Sequence, residues 1–107
     1  MTKIHFSPQA ALDLQETAAY ITEELSNEQA AKNVVTKIID RIHALADFPE
    51  SGAKLSSIIP IDTDYRFVVC GNYTAFYRYT EDVVYVVRIL YGRRDFMRVL
   101  FGDNMEE

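Results

Sequence analysis

Three kinds of periodicity follow one another along the chain. Ile4 and Phe6 alternate with His5, enough for a short strand. Ser7-Pro8 then reads as a helix start, with a hydroxyl to accept from a free N–H and a proline at the first helical position, where its missing N–H costs nothing. From there Ala11, Leu14, Ala18, Ile21 and Leu25 recur at steps of three and four, while Asp13, Glu16, Tyr20, Glu23 and Glu24 fall on the other side, as in an amphipathic helix. Ser26-Asn27-Glu28-Gln29 matches a capping box, and Ala31, Val35, Ile38, Ile42 and Leu45 form a second stripe that Phe48-Pro49 ends. So short a connection predicts an antiparallel helical hairpin.

The period then changes. Residues 49–64 hold two of the three prolines and read as an irregular crossing loop with one extended piece around Ser57 to Ile59. Tyr65 to Cys70, Tyr73 to Tyr79 and Val83 to Leu90 are β-rich runs separated by Gly71-Asn72 and by Thr80-Glu81-Asp82, turns that join neighbouring antiparallel strands. Neither a hairpin sheet nor a helical pair buries its apolar surface alone, so the helices must cover one face of the sheet. The expectation is a single α+β domain over residues 1–107. It has an N-terminal strand, a two-helix hairpin packed on an antiparallel β-sheet, and a short C-terminal helical turn.

Composition narrows the function classes. A chain of 107 residues with 49% hydrophobic and 25% charged residues is that of an ordinary globular domain. Its apolar runs are far shorter than the about 20 residues of a membrane span, and the amino terminus lacks the apolar stretch of a secretion signal, so a cytoplasmic protein is expected. Cys70 reads as a small buried hydrophobe in a reducing compartment. His5 and His43 are too few and too scattered for a metal site, and no glycine-rich phosphate loop or Ser/His/Asp spacing is present. No cofactor is expected.

Charge is distributed unevenly behind a net value of −5. Residues 1–50 carry four basic groups against eight acidic ones. Residues 65–100 carry six arginines and no lysine against Glu81, Asp82 and Asp95. Arg66, Arg78 and Arg88 each interrupt a β-rich run, and Arg93, Arg94 and Arg98 follow the last. Strand alternation allows an arginine from each of three strands to converge on the sheet face left open by the helices, a basic surface for a phosphate backbone or an acidic peptide. The competing reading is ordinary solvent-facing residues paired with nearby acids.

The segments "FSPQAALDLQETAAYI", "YRFVVCGNYTAFYRY" and "VVYVVRILYGRRD" resemble, in order and over nearly the whole chain, the toxin subunits of the RelE/ParE superfamily of bacterial type II toxin–antitoxin systems. The resemblance implies a role in plasmid stabilisation, neutralisation by a cognate antitoxin that occupies the basic surface (Arg66, Arg78, Arg88, Arg93, Arg94, Arg98), and assembly as a homodimer or a heterotetramer with the antitoxin. RelE-like members cut messenger RNA on the ribosome, and for that branch the matching residues are Arg66, Arg94 and Lys54. ParE-like members poison DNA gyrase. Where RNA-cutting relatives carry a terminal Tyr or His, this chain reads Val99-Leu100-Phe101, and no histidine lies in the Arg-rich half. An attacking 2′-hydroxyl needs a proton acceptor as well as a phosphate clamp. A pI near 5.0 also suits docking among ribosomal phosphates badly. The gyrase branch is therefore favoured, with RNA cleavage and a silent antitoxin-binding homologue as alternatives.

Overall fold

In the computed structural model, which describes residues 2–92 and 95–102, the predicted helix start is present: the Ser7 side chain accepts from the Ala10 N–H at 2.9 Å. The elements are β1 (Lys3–Phe6), α1 (Pro8–Leu25), α2 (Glu28–His43), β2 (Ala53–Lys54), β3 (Arg66–Cys70), β4 (Tyr73–Thr80), β5 (Val83–Tyr91) and α3 (Phe96–Phe101). One sheet has the order β1-β5-β4-β3-β2, with β1 parallel to β5 and every other pair antiparallel. The chain is an α+β fold as expected, and the meander of β3, β4 and β5 gains a strand on each edge.

Ala10, Ile38, Ile42 and Leu45 on the helical side pack against Val68, Cys70, Ala75, Tyr77, Val84, Val86 and Ile89 of the sheet. Strand alternation alone would not bring Val84, Val86 and Ile89 to one face. In the ladder Tyr77 pairs with Val86 and Phe76 with Arg88, so Val87 is an extra residue on β5. This bulge resets the alternation and returns Ile89 to the core. On the other face Phe76 is buried under α3, its ring stacked on Phe96 at 5.6 Å, and Phe101 meets Tyr65 edge-on.

Three local expectations shift. Ser26 does not cap α2; it takes a left-handed conformation (φ 49°) at the end of α1, and Asn27 is the N-cap, accepting from the Ala30 N–H at 3.1 Å. Asn is at least as good a cap as Ser and tolerates the entry geometry, so the boundary moves by one residue. The α1 stripe is rotated as well: Ala10, Asp13, Thr17 and Ile21 are buried, while Ala11 and Leu25 are exposed. Finally, the extended piece of the crossing loop is Ala53–Lys54, because the ladder with Phe67 and Arg66 fixes it there. Residues 55–57 turn as a 3₁₀ helix, which the Ser57 hydroxyl closes by donating to the Lys54 carbonyl at 2.6 Å.

The α2 stripe stands as expected, with Ile38 1% exposed at its centre. Replacing Ile38 by Asp buries an unpaired carboxylate and should lower unfolding free energy by about 3–5 kcal/mol, read as a shifted midpoint in urea. Leu25→Asp, at an exposed site, should move it by less than about 0.5 kcal/mol.

Candidate functional site

Each strand arginine meets a different fate. Arg66 is the ladder partner of Tyr77 and lies on the side of the sheet that the helices cover, not on the open face. Its guanidinium donates to the carbonyls of Glu50 (3.1 Å) and Gly52 (2.9 Å) and stands 3.5 Å from the Glu50 carboxylate. The same loop is held from inside by Tyr77, whose hydroxyl donates to the Pro49 carbonyl at 2.8 Å and accepts from the Gly52 N–H at 3.0 Å. Burial pushes the Tyr77 phenol above its ordinary value, against the hydrogen bond from Gly52 and the charges of Arg66 and Arg41. Gly52 is required: a Cβ there would stand 2.5 Å from the Tyr77 oxygen and 2.8 Å from the Phe67 carbonyl oxygen. Lys54, the ladder partner of Arg66, is exposed, so these two candidates for the RNA-cutting set are neighbours.

Arg78 lies on the open face. It makes a two-point ion pair with Asp64, both contacts 2.9 Å, and sits 5.4 Å from the Tyr65 ring centre. Hydrogen bonding to Asp64 holds its pKa above the usual arginine value. Both partners are at least half exposed, which makes the pair exchangeable at small cost.

Arg88 turns back to the helices. Its guanidinium meets Asp13 of α1 at 2.8 and 3.0 Å, and the same carboxylate accepts the Ile89 N–H at 2.9 Å. Asp13 is 6% exposed. Hydrogen bonding to it raises the Arg88 pKa, against the desolvation of the cation. The sequence reading placed Asp13 on the polar side of α1. The available signal was an alternative stripe, Ala10, Asp13, Thr17 and Ile21, in which a carboxylate among apolar positions needs a cationic partner.

Arg98 pairs with Asp95 at 2.9 Å and is exposed, while Arg93 and Arg94 lie outside the described residues. The arginines of the three strands therefore do not converge. The structure does, however, bring a histidine to the Arg-rich half. The register of β1 on β5 sets His5 against Tyr85, with ring centres 5.7 Å apart, and Tyr85 is in turn the ladder partner of Arg78. Sequence distance hid this row, because its members come from opposite ends of the chain.

Among the described residues no helix is long and apolar enough to cross a membrane, and no cluster of three His, Cys, Asp or Glu side chains is placed to hold a metal ion. Residues 4–96 match the family model described as the ParE toxin of the type II toxin–antitoxin system parDE. No curated protein sequence matches. A solved chain from the chromosomal ParDE toxin–antitoxin system of P. aeruginosa is similar in structure, with a TM-score of 0.71 and 20% identity, covering 85% of this chain and 96% of its own. YafQ from E. coli strain BL21(DE3) aligns with a TM-score of 0.46 and 15% identity over 95% of this chain and 100% of its own.

Asp13→Asn should destabilise the fold by about 2–3 kcal/mol, because it leaves a three-quarters buried guanidinium without a counter-charge. Asp64→Asn, at the exposed Arg78 pair, should lie within about 1 kcal/mol of the parent. Equilibrium unfolding in urea of the two variants side by side checks the difference.

Proposed function

The chain belongs to the ParE toxin family of type II toxin–antitoxin systems, and from that premise we propose that it inhibits DNA gyrase and is held silent by a cognate antitoxin. One observation carries the choice against nuclease chemistry. A phosphate clamp needs cations converging on one point, and among the described residues the strand arginines Arg66, Arg78 and Arg88 are directed instead to Glu50, Asp64 and Asp13 respectively, so that Lys54 lies beside an Arg66 whose guanidinium is turned to the loop carbonyls. The position where RNA-cutting relatives carry a terminal Tyr or His falls within α3, whose Phe101 packs on Tyr65.

Antitoxin binding falls to the arginines that reach solvent. Arg78 and Arg98 are at least half exposed, and each pairs with an exposed carboxylate, Asp64 and Asp95 respectively, that an acidic antitoxin segment can replace. Arg66 and Arg88 hold the fold together, and their part in recognition is indirect. The antitoxin complex should therefore weaken as salt rises and weaken by about 1–2 kcal/mol in Arg78→Ala, measured by calorimetric titration. An unchanged dissociation constant in both experiments would remove the sheet face from the interface.

A second reading, ribosome-dependent cleavage of messenger RNA, is favoured by His5. That imidazole stands beside Tyr85 of β5, whose other ladder neighbour is Arg78 of β4, which puts an imidazole and a cation in one row across three strands. The antitoxin-free protein should stop gyrase supercoiling and leave messenger RNA intact on translating ribosomes. Cuts in the ribosomal A site that fall about 10²-fold or more in His5→Ala would establish the nuclease instead. Silence in both assays, with antitoxin binding retained, would make the chain an inactive antitoxin-binding member of the family.

A further inference from the structure

A cleft of about 670 Å³ opens between α1, the end of β5 and α3, and is walled by Glu16, Thr17, Tyr20, Tyr73, Tyr91 and Val99. We propose that this cleft receives an arginine side chain presented by a partner polypeptide. Three features select that occupant. First, the walls are aromatic and open: Tyr20 is 61% and Tyr91 54% exposed, and the Tyr73 and Tyr91 rings meet edge to face at 5.4 Å. Burial pushes the Tyr73 phenol above its ordinary value, against a hydrogen bond with Thr17.

Second, among the described lining residues three carboxylates, Asp13, Glu16 and Asp95, stand against one cation, Arg88. Arg88 gives its Nε and Nη2 to Asp13, and Asp95 pairs with Arg98. Glu16 lines the cleft one turn from Asp13; Arg88 feels its charge, but Glu16 forms no ion pair within 4.0 Å among the described residues. An anion entering here would meet Glu16, and the one cation among the described lining residues, Arg88, already faces Asp13. Third, the combination of flat aromatic walls and a carboxylate fits a planar guanidinium better than an ammonium. A guanidinium stacks on a tyrosine ring while giving two parallel hydrogen bonds to one carboxylate.

This deepens the partner-binding half of the proposed function and rests on it only for the source of the arginine. The small-molecule probe below fails or succeeds independently of the gyrase and antitoxin assays. The test is a ¹⁵N–¹H titration of the full chain with N-acetyl-arginine amide, against the neutral isostere N-acetyl-citrulline amide. Saturable shifts are expected at the amides of Thr17, Tyr73 and Leu90, with the citrulline compound binding at least about tenfold more weakly. Glu16→Gln should weaken arginine binding about fivefold or more, and Tyr20→Ala about two- to fivefold; both alter exposed side chains. Equal shifts with the citrulline compound, undiminished binding in Glu16→Gln, shifts centred elsewhere, or no shifts at all would each overturn the proposal.

Discussion

A carboxylate on the sheet-facing side of a helix is tolerable only where its charge and its lone pairs are answered, and Asp13 sets that condition for this molecule. Arg88 supplies the charge and the Ile89 N–H a further donor. The consequence reaches beyond one ion pair, because the contact fixes where α1 lies along β5. β1 covers the β5 edge only as far as Val86. From there α1 continues the work: the Ser7 N–H donates to the Val86 carbonyl, the Ser7 hydroxyl donates to the Val87 carbonyl, and Asp13 takes the Ile89 N–H. A strand edge that would otherwise invite another chain is thus closed by the side chains of a helix. The bulge at Val87 belongs to the same arrangement. It returns Ile89 to the core while leaving Arg88 where it can reach the edge, so helix, bulge and arginine are one constraint rather than three features.

The opposite edge is organised on the same principle with different atoms. β2 is two residues long, too little to hold itself in a sheet by its own ladder. It is held because Tyr77 and Arg66, ladder partners on adjacent strands, together bond Pro49, Glu50 and Gly52 just before it. A buried phenol hydroxyl with both a donor and an acceptor satisfied is worth far more than its exposed equivalent, since removing it would strand two backbone groups. The crossing segment that composition describes only as irregular is therefore anchored at a defined point, and the anchor is a glycine that admits no side chain.

Much of the architecture is legible along the chain. The α2 stripe, the Ser7-Pro8 start, the Gly71-Asn72 and Glu81-Asp82 turns and the order of elements all arise from local chemistry, and local chemistry is what a sequence displays. What it conceals depends on pairings between distant segments. Asp13 looks polar and outward until Arg88, seventy-five positions away, is placed beside it. Arg66 looks like a free cation until the loop carbonyls are folded over it. His5 appears isolated because parallel pairing with β5 cannot be read from a four-residue strand. In each case the hidden step is register: one residue of slip would exchange the faces and undo the contact.

The same reasoning changes how the charge asymmetry of the chain is understood. An acidic first half and an arginine-rich second half suggest a molecule with two electrostatic faces, one of them suited to nucleic acid. Two of the three strand arginines instead meet carboxylates from the acidic half, Glu50 and Asp13, and the third meets Asp64 in the crossing segment. The asymmetry along the sequence is thus partly cancelled in space, by pairs whose exposure decides their meaning. Where the pair is buried, as at Asp13, exchange with a partner would leave a charge unanswered in a poor solvent for it, and the pair is structural. Where both members face water, as at Arg78, exchanging one carboxylate for another costs little, and the pair becomes a surface on which an acidic partner can compete. Recognition and stability are separated in this fold by solvent exposure, although the residue type is the same.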